Sequence, residues 1–222
     1  MSDRPALAVV GGTGHLGGAL ARRWARAGYP VILGSRDASR AEGAAARLAP
    51  ESAVRVRGFG NRDAAERGEI VIITVPWASH EAVLEDIRPA VAGKLVVDTT
   101  VPLVPPKVMR VQLPAEGCAA LRAQRILGEA AVMVSAFHNV AAHRLDSSET
   151  VDCDVLVFGD QKEARERVVV LAAAAGLRGL HAGSLANSAA AEALTSVLIF
   201  INKAYAVDGA GLRITGELRS GT

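Results

Sequence analysis

The sequence predicts an α/β fold: a doubly wound, mostly parallel sheet with helices on both faces. Three observations carry this. Apolar runs recur at residues 6–10, 31–34, 70–75, 95–98 and 131–135. Helix-like segments lie between many of them, the alternation that strand–helix–strand units produce. Several runs are continuously apolar, as strands buried on both faces are.

The first forty residues carry the most information. The run at 6–10 feeds Gly12-x-Gly14-x-x-Gly17. A helix is predicted over 16–27 and a second strand over 31–34, ending in Ser35-Arg36. Strand, glycine turn, helix, strand is the context of a dinucleotide-binding fingerprint, so the fold is expected to be Rossmann-type. The glycines let the backbone turn and approach a pyrophosphate, which rests on amides at the helix N-terminus. The end of the second strand selects the dinucleotide. NAD sites usually place an acid there for the ribose hydroxyls, and this chain has Ser35, Arg36 and Arg40 instead. A hydroxyl and two guanidiniums suit the 2′-phosphate of NADP, and arginine can grip it bidentately. Arg36 and Arg40 share a face if the helix has begun by then. Asp37 can cap that helix, facing away from the phosphate.

The predicted order continues with a helix to about 48, a short strand at 54–56 and a helical turn at 63–67. A buried strand follows at 70–75, then a helix from about 80 to 87 and a strand at 95–98. Ligands on such sheets bind beyond the carboxyl ends of the strands. Three segments there are candidates. Pro76-Trp77 reads as a wall beside a coenzyme or as a stiff turn. The loop at 99–106, with three prolines, reads as a rigid cover or a connector. His138 follows the strand at 131–135 and reads as catalytic or as structural. The last third predicts a strand at 155–158, a helix over 163–175, a short strand near Leu180 and a long helix over 185–206. Apolar residues cover most of that helix's circumference, implying burial in the core or against a second subunit.

Composition sets limits. At 222 residues there is room for one domain, or for a nucleotide-binding part and a smaller lobe. The expected division is 1–150 for the first and 151–222 for an α-rich second part. A net charge of +2, with no basic block, does not suit a general nucleic-acid binder. Cys118 and Cys153 lack metal or redox spacing, and Asp152 and Asp154 read as caps or turn formers, so no metal is expected. Reduced cysteines and a strand close to the N-terminus suggest a cytoplasmic protein without a signal peptide. The stretch 189–201 is apolar but short and carries Glu192, so no membrane span is expected.

Taken in order, these pieces resemble the NADPH-dependent reductases of the deazaflavin coenzyme F420. The resemblance rests on the 11–17 glycine motif, Gly34-Ser35-Arg36 with Arg40, Thr74-Val75-Pro76-Trp77 and Pro102-Leu103-Val104-Pro105. It continues through Ser135-Ala136-Phe137-His138-Asn139, Asp152-x-Asp154, Gly159-Asp160, the stretches 182–187 and 192–195, and the tail 209–216. It implies direct hydride transfer between NADP(H) and F420, with the cofactors carrying the reactivity. The long apolar helix over 185–206 makes a homodimer the expected assembly. The resemblance implies Thr13, Gly14, His15 and Leu16 along the pyrophosphate, and Ser35, Arg36 and Arg40 on the 2′-phosphate. Pro76 and Trp77, Ala142 and a residue near Ala210 or Gly211 would flank the nicotinamide. His138, Val140 and the 185–195 region would approach the deazaflavin, with His138 helping to stabilise charge on its ring. Two departures stand out: His15 where some members carry Asn, and Ala141 where some carry Pro. The first should be harmless, because backbone amides do the binding; the second leaves the loop after His138 open. Two other readings keep nucleotide binding: an NADPH-dependent reductase of an imine, carbonyl or metal chelate, and a non-catalytic NADP(H) sensor.

Overall fold

A computed structural model describes residues 4–52, 54–146 and 150–218. Residues 1–3, 53, 147–149 and 219–222 lie outside the described residues, and with them the outer ends of the two expected parts. Strands β1 (Leu7–Val10), β2 (Val31–Ser35), β3 (Val56–Gly60), β4 (Ile70–Ile73), β5 (Leu95–Asp98) and β6 (Val132–Ser135) form one parallel sheet. Their order is β3-β2-β1-β4-β5-β6, so the winding direction reverses between β1 and β4. Alternate strand residues face opposite sides. Leu7, Val9, Leu33, Ile72, Val97 and Val134 pack under α1 (His15–Arg26) and α6 (Lys162–Ala174). Ala8, Val10, Ile73, Val96 and Met133 pack under α4 (Trp77–Ile87) and α5 (Ala119–Leu127).

Pairing places Gly34, Val10, Ile73, Asp98 and Ser135 in one row across the sheet. Every loop beyond that row therefore emerges on one rim. Further along the chain, β7 (Asp154–Val157) and β8 (Arg178–His181) make a separate parallel pair, and α7 (Ser188–Tyr205) follows. An antiparallel bridge between Ser135 and Phe158 joins this part to β6. Trp24 on α1 is fully buried; its indole N–H donates to Leu171 O on α6 at 2.8 Å, and its ring meets Phe137 edge-on at 5.9 Å. The helix that follows the glycine turn is thus fastened to the C-terminal part.

The structure departs from the sequence expectations in five places. β3 runs over Val56–Gly60, not 54–56. Gly58 sits there because α2 (Ala38–Leu48) passes so close that a Cβ would lie 2.1 Å from Ala41 C. β4 stops at Ile73, and α4 begins at Trp77, so Pro76 is a helix cap and not a turn. α5 was not anticipated; Cys118 caps it by accepting the Leu121 N–H on its sulfur at 3.4 Å. α7 is not covered all round by this chain, so of the two expected covers the core supplies only part: Val197, Phe200 and Tyr205 are exposed, at 43, 56 and 75%. With the preceding turn, Leu185–Tyr205 is 21 residues and contains an 18-residue stretch of mean hydropathy 1.3, long and apolar enough to cross a membrane by length and composition alone. The shorter stretch considered from sequence understated that length.

Candidate active site

The rim loops enclose a cleft of about 1040 Å3 at the β1/β4 reversal. One end is built from the glycine turn and the end of β2. Gly14 precedes the first residue of α1 and no side chain caps the helix, so its first-turn amides are available to an anion. Gly17 lies against the residue that follows β4: a Cβ there would come 2.4 Å from Thr74 Oγ1. Gly12 is packed as tightly, its Cβ position 2.7 Å from Val9 O. Thr13, Gly14, His15 and Leu16 line the cleft, as do Ser35, Arg36 and Arg40. Gly12 and Gly17 shape the turn from beneath. Asp37 caps α2: its Oδ1 accepts from Ser39 N at 2.9 Å and Ser39 Oγ at 2.7 Å. Those bonds hold its carboxyl below the ordinary range. Asp37 also lines the cleft, which the sequence reading had placed facing away.

The other end is built from buried and half-buried side chains. Trp77 lines it from the first turn of α4; the Arg122 guanidinium lies 5.0 Å from its ring centroid, and the His80 ring 5.4 Å. Thr99, Thr100, Val101 and Leu103 line the facing side. His138 arrives on a turn whose preceding residue, Phe137, has φ of +67°. A bulky residue in that region costs about 1–3 kcal/mol and persists only when packing over-determines it; Phe137 is 1% exposed. His138 Nε2 is 2.7 Å from Ser135 Oγ, and burial pushes its pKa down to about 4, so the ring is neutral. Val140 lines the cleft beside it.

Ala142, Ala210 and Gly211 are not among the cleft-lining residues. Ala142 opens a short 3-10 turn packed on α1. Ala210 N–H donates to Asn202 Oδ1 at 2.7 Å, and a Cβ on Gly211 would meet Cys153 Sγ at 2.8 Å. That tail backs the His138 loop from behind. Asp152 and Asp154 hold it there: Asp152 pairs with Arg213, and Asp154 accepts from Ile214 N at 2.6 Å while pairing with Arg178.

Sequence reasoning missed a layer of buried polar groups under this end. Asp98 and His80, each 1% exposed, meet at 2.8 Å, and Asp98 Oδ1 accepts from Thr100 N at 3.0 Å. Burial would raise the Asp98 pKa, but His80 and Thr100 outweigh it and hold the carboxyl low. Glu192 on α7 accepts from Ala119 N at 2.7 Å and Ala120 N at 3.2 Å, the first turn of α5. Thr195 donates to His138 O at 2.9 Å, and Asn139 donates to Ala191 O at 2.9 Å. An acid closing an apolar strand on the ligand rim was a readable signal for Asp98; nothing in the sequence paired it with His80.

The comparisons agree with this architecture. Residues 6–102 match the family model described as NADP oxidoreductase, coenzyme F420-dependent. The F420-dependent NADP reductase of Methanothermobacter thermautotrophicus is 40% identical over 218 residues, 94% of each chain. Its counterpart from Methanocaldococcus jannaschii is 37% identical, over 94% of this chain and 97% of that one. A crystal structure from Arthrobacter sp. FB24, assigned as a candidate F420-dependent NADP reductase, superposes with a TM-score of 0.78 at 24% identity, covering 95% of this chain and 99% of that one. With a reversed-order parallel sheet, an uncapped glycine-led helix and close relatives along nearly its whole length, the chain belongs to the family of F420-dependent NADP oxidoreductases.

Proposed function

We propose that this enzyme transfers hydride reversibly between NADP(H) and coenzyme F420. One observation supports this beyond family membership: a single cleft joins Ser35, Arg36 and Arg40 to Trp77, Thr100, His138 and Thr195. Both coenzymes then share one channel. When bound, they supply the chemistry themselves, from nicotinamide C4 to deazaflavin C5. The chain's residues bind and orient. The α1 amides take the pyrophosphate, and Ser35 with the two arginines takes the 2′-phosphate. Trp77 and Val101 wall the ring end and exclude water, which strengthens every polar contact inside it. His138, neutral and held by Ser135, offers a hydrogen-bonding group there without adding a charge. Thr195 on α7 closes that end, and the tail supports the His138 loop from behind. We read the molecule as a cytoplasmic homodimer; two buried free cysteines and the exposed apolar residues of α7 support that reading.

The test is anaerobic absorbance of the deazaflavin with NADPH or NADH. Bleaching with NADPH and little with NADH is expected. Each charge-assisted hydrogen bond is worth roughly 1.5–3 kcal/mol, so Arg36→Ala should raise the KM for NADPH about tenfold to a hundredfold and leave NADH unaffected. Equal rates with both nucleotides would overturn the phosphate assignment. No bleaching with either would overturn the activity.

A further inference from the structure

The nucleotide end does not stop at Arg40. Two adjoining hollows, of about 870 and 330 Å3, continue from the glycine turn toward the middle of α2. Thr13, Arg40 and Arg47 line both, and Thr13 and Arg40 also line the main cleft. Arg47 follows Arg40 by seven residues, about two turns along the same face of α2. Side chains on a helix lean toward its N-terminus. The Arg47 side chain does so: its Nη1 lies 3.8 Å from the place a Cβ on Gly43 would take, one turn back toward Arg40. Glycine weakens a helix interior, and here it keeps that path open.

The chain itself gives this exposed guanidinium nothing to bind. Among the described residues it makes no hydrogen bond or ion pair. Glu42 lies five residues before it, on the other side of the helix. Asp146, the carboxylate of the larger hollow, is paired with Arg22 at 2.9 Å. Arg40 is placed differently. The Ser39 hydrogen bonds keep Asp37 ionised and Arg40 adds to that, so part of the Arg40 charge is already answered inside the cleft. Two guanidiniums on one helix face repel each other in the empty protein, and a dianion beside Thr13 removes that penalty.

We propose that Arg47 is a further specificity-determining residue for NADP(H), drawing the 2′-phosphate across the hollow it shares with Thr13 and Arg40. The proposal rests on the 2′-phosphate reading above. A dinucleotide without that phosphate gives Arg47 nothing to hold, so its effect falls on the choice between NADP(H) and NAD(H). The competing role is structural. Arg47 stands in the last turn of α2, where a cation complements the helix dipole. That role acts on folding and not on ligand choice.

Calorimetric titration with adenosine 2′,5′-bisphosphate and with 5′-AMP separates the two, because the affinity ratio of these probes isolates the 2′-phosphate and needs no hydride transfer. Arg47→Ala should lower that ratio by about threefold to fivefold at low salt and leave 5′-AMP unaffected, the scale of one solvated charge pair. The difference should shrink as salt is raised. Arg47→Lys should keep most of the native ratio. Alanine favours a helix interior, so the variant should fold. A native preference for the bisphosphate that Arg47→Ala leaves intact overturns this proposal alone. Equal losses for both probes also overturn it, marking a structural role. A native protein that binds both probes equally overturns the 2′-phosphate reading and this proposal together.

Discussion

The two ends of the cleft hold their ligands by different physical means. The nucleotide end comes mainly from the first forty residues, with Asn61 behind the glycine turn, donor–acceptor distance 3.4 Å to Gly11 N. Its grip consists of backbone amides and exposed arginines in water. The ring end draws on α4, β5, β6 and α7, and its ionisable groups are buried, Asp98 against His80 and Glu192 against the first amides of α5. The first end is a local device that the fold merely presents. The second exists only when distant segments meet, so its chemistry and the stability of the fold share the same residues. Substitutions at the first end should change affinity; at the second they should also change stability and its response to pH.

The largest effect on coenzyme binding is expected at the first end. Gly17→Ala puts a methyl 2.4 Å from Thr74 Oγ1 and 3.0 Å from Gly11 O. The turn must move, and NADPH binding should weaken by about a hundredfold or more in a direct titration. Near-native affinity would show that the turn is softer than the local device described here.

Glu192 provides the next. Burial pushes its pKa up to about 8, against the opposing pull of the α5 amides, and Asp98 adds to the rise. The folded protein thus keeps this proton to higher pH than the unfolded chain, whose ordinary value is 4.5. The stability it contributes is complete below that value and is lost as pH climbs to about 8. Glu192→Gln keeps an acceptor for α5 but cannot titrate. Thermal melts of the two proteins should diverge in favour of the glutamine variant over that window, by an amount on the order of 3–5 kcal/mol at its upper edge. Parallel pH profiles would remove the link between ring-end chemistry and stability.

The smallest effect is expected at His138. His138→Ala should lower turnover by about threefold to tenfold and leave NADPH affinity intact. With its folded pKa near 4, this imidazole should also leave no inflection in the turnover profile near neutrality. A parallel fall in NADPH affinity would show that the two ends are not separable.

The same division explains what the sequence made readable. Strand positions, the glycine turn and Ser35-Arg36-Arg40 depend on residues close together in the chain, where pattern and chemistry coincide. The exceptions were tertiary. The β3 register depends on how closely α2 approaches Gly58. α5 starts from a cysteine sulfur, a cap that no standard signal announces. His80 and Asp98 are 18 residues apart and meet only because α4 folds back over β5. Periodicity described the apolar circumference of α7 correctly, yet could not say whether its cover comes from this chain or a second one.

The spread of the ring end along the chain has a consequence for synthesis. A ribosome releases the residues of the nucleotide end early: Asn61 and Thr74, which back the glycine turn, are the last of them. Glu192 and Thr195, which clasp α5 and the His138 loop, emerge about 120 residues later. At about 5–20 residues per second, that delay is on the order of 5–25 seconds. For that interval the nascent chain carries the residues that grip phosphate without the walls that align hydride transfer, and α1 still lacks the α6 surface that buries Trp24.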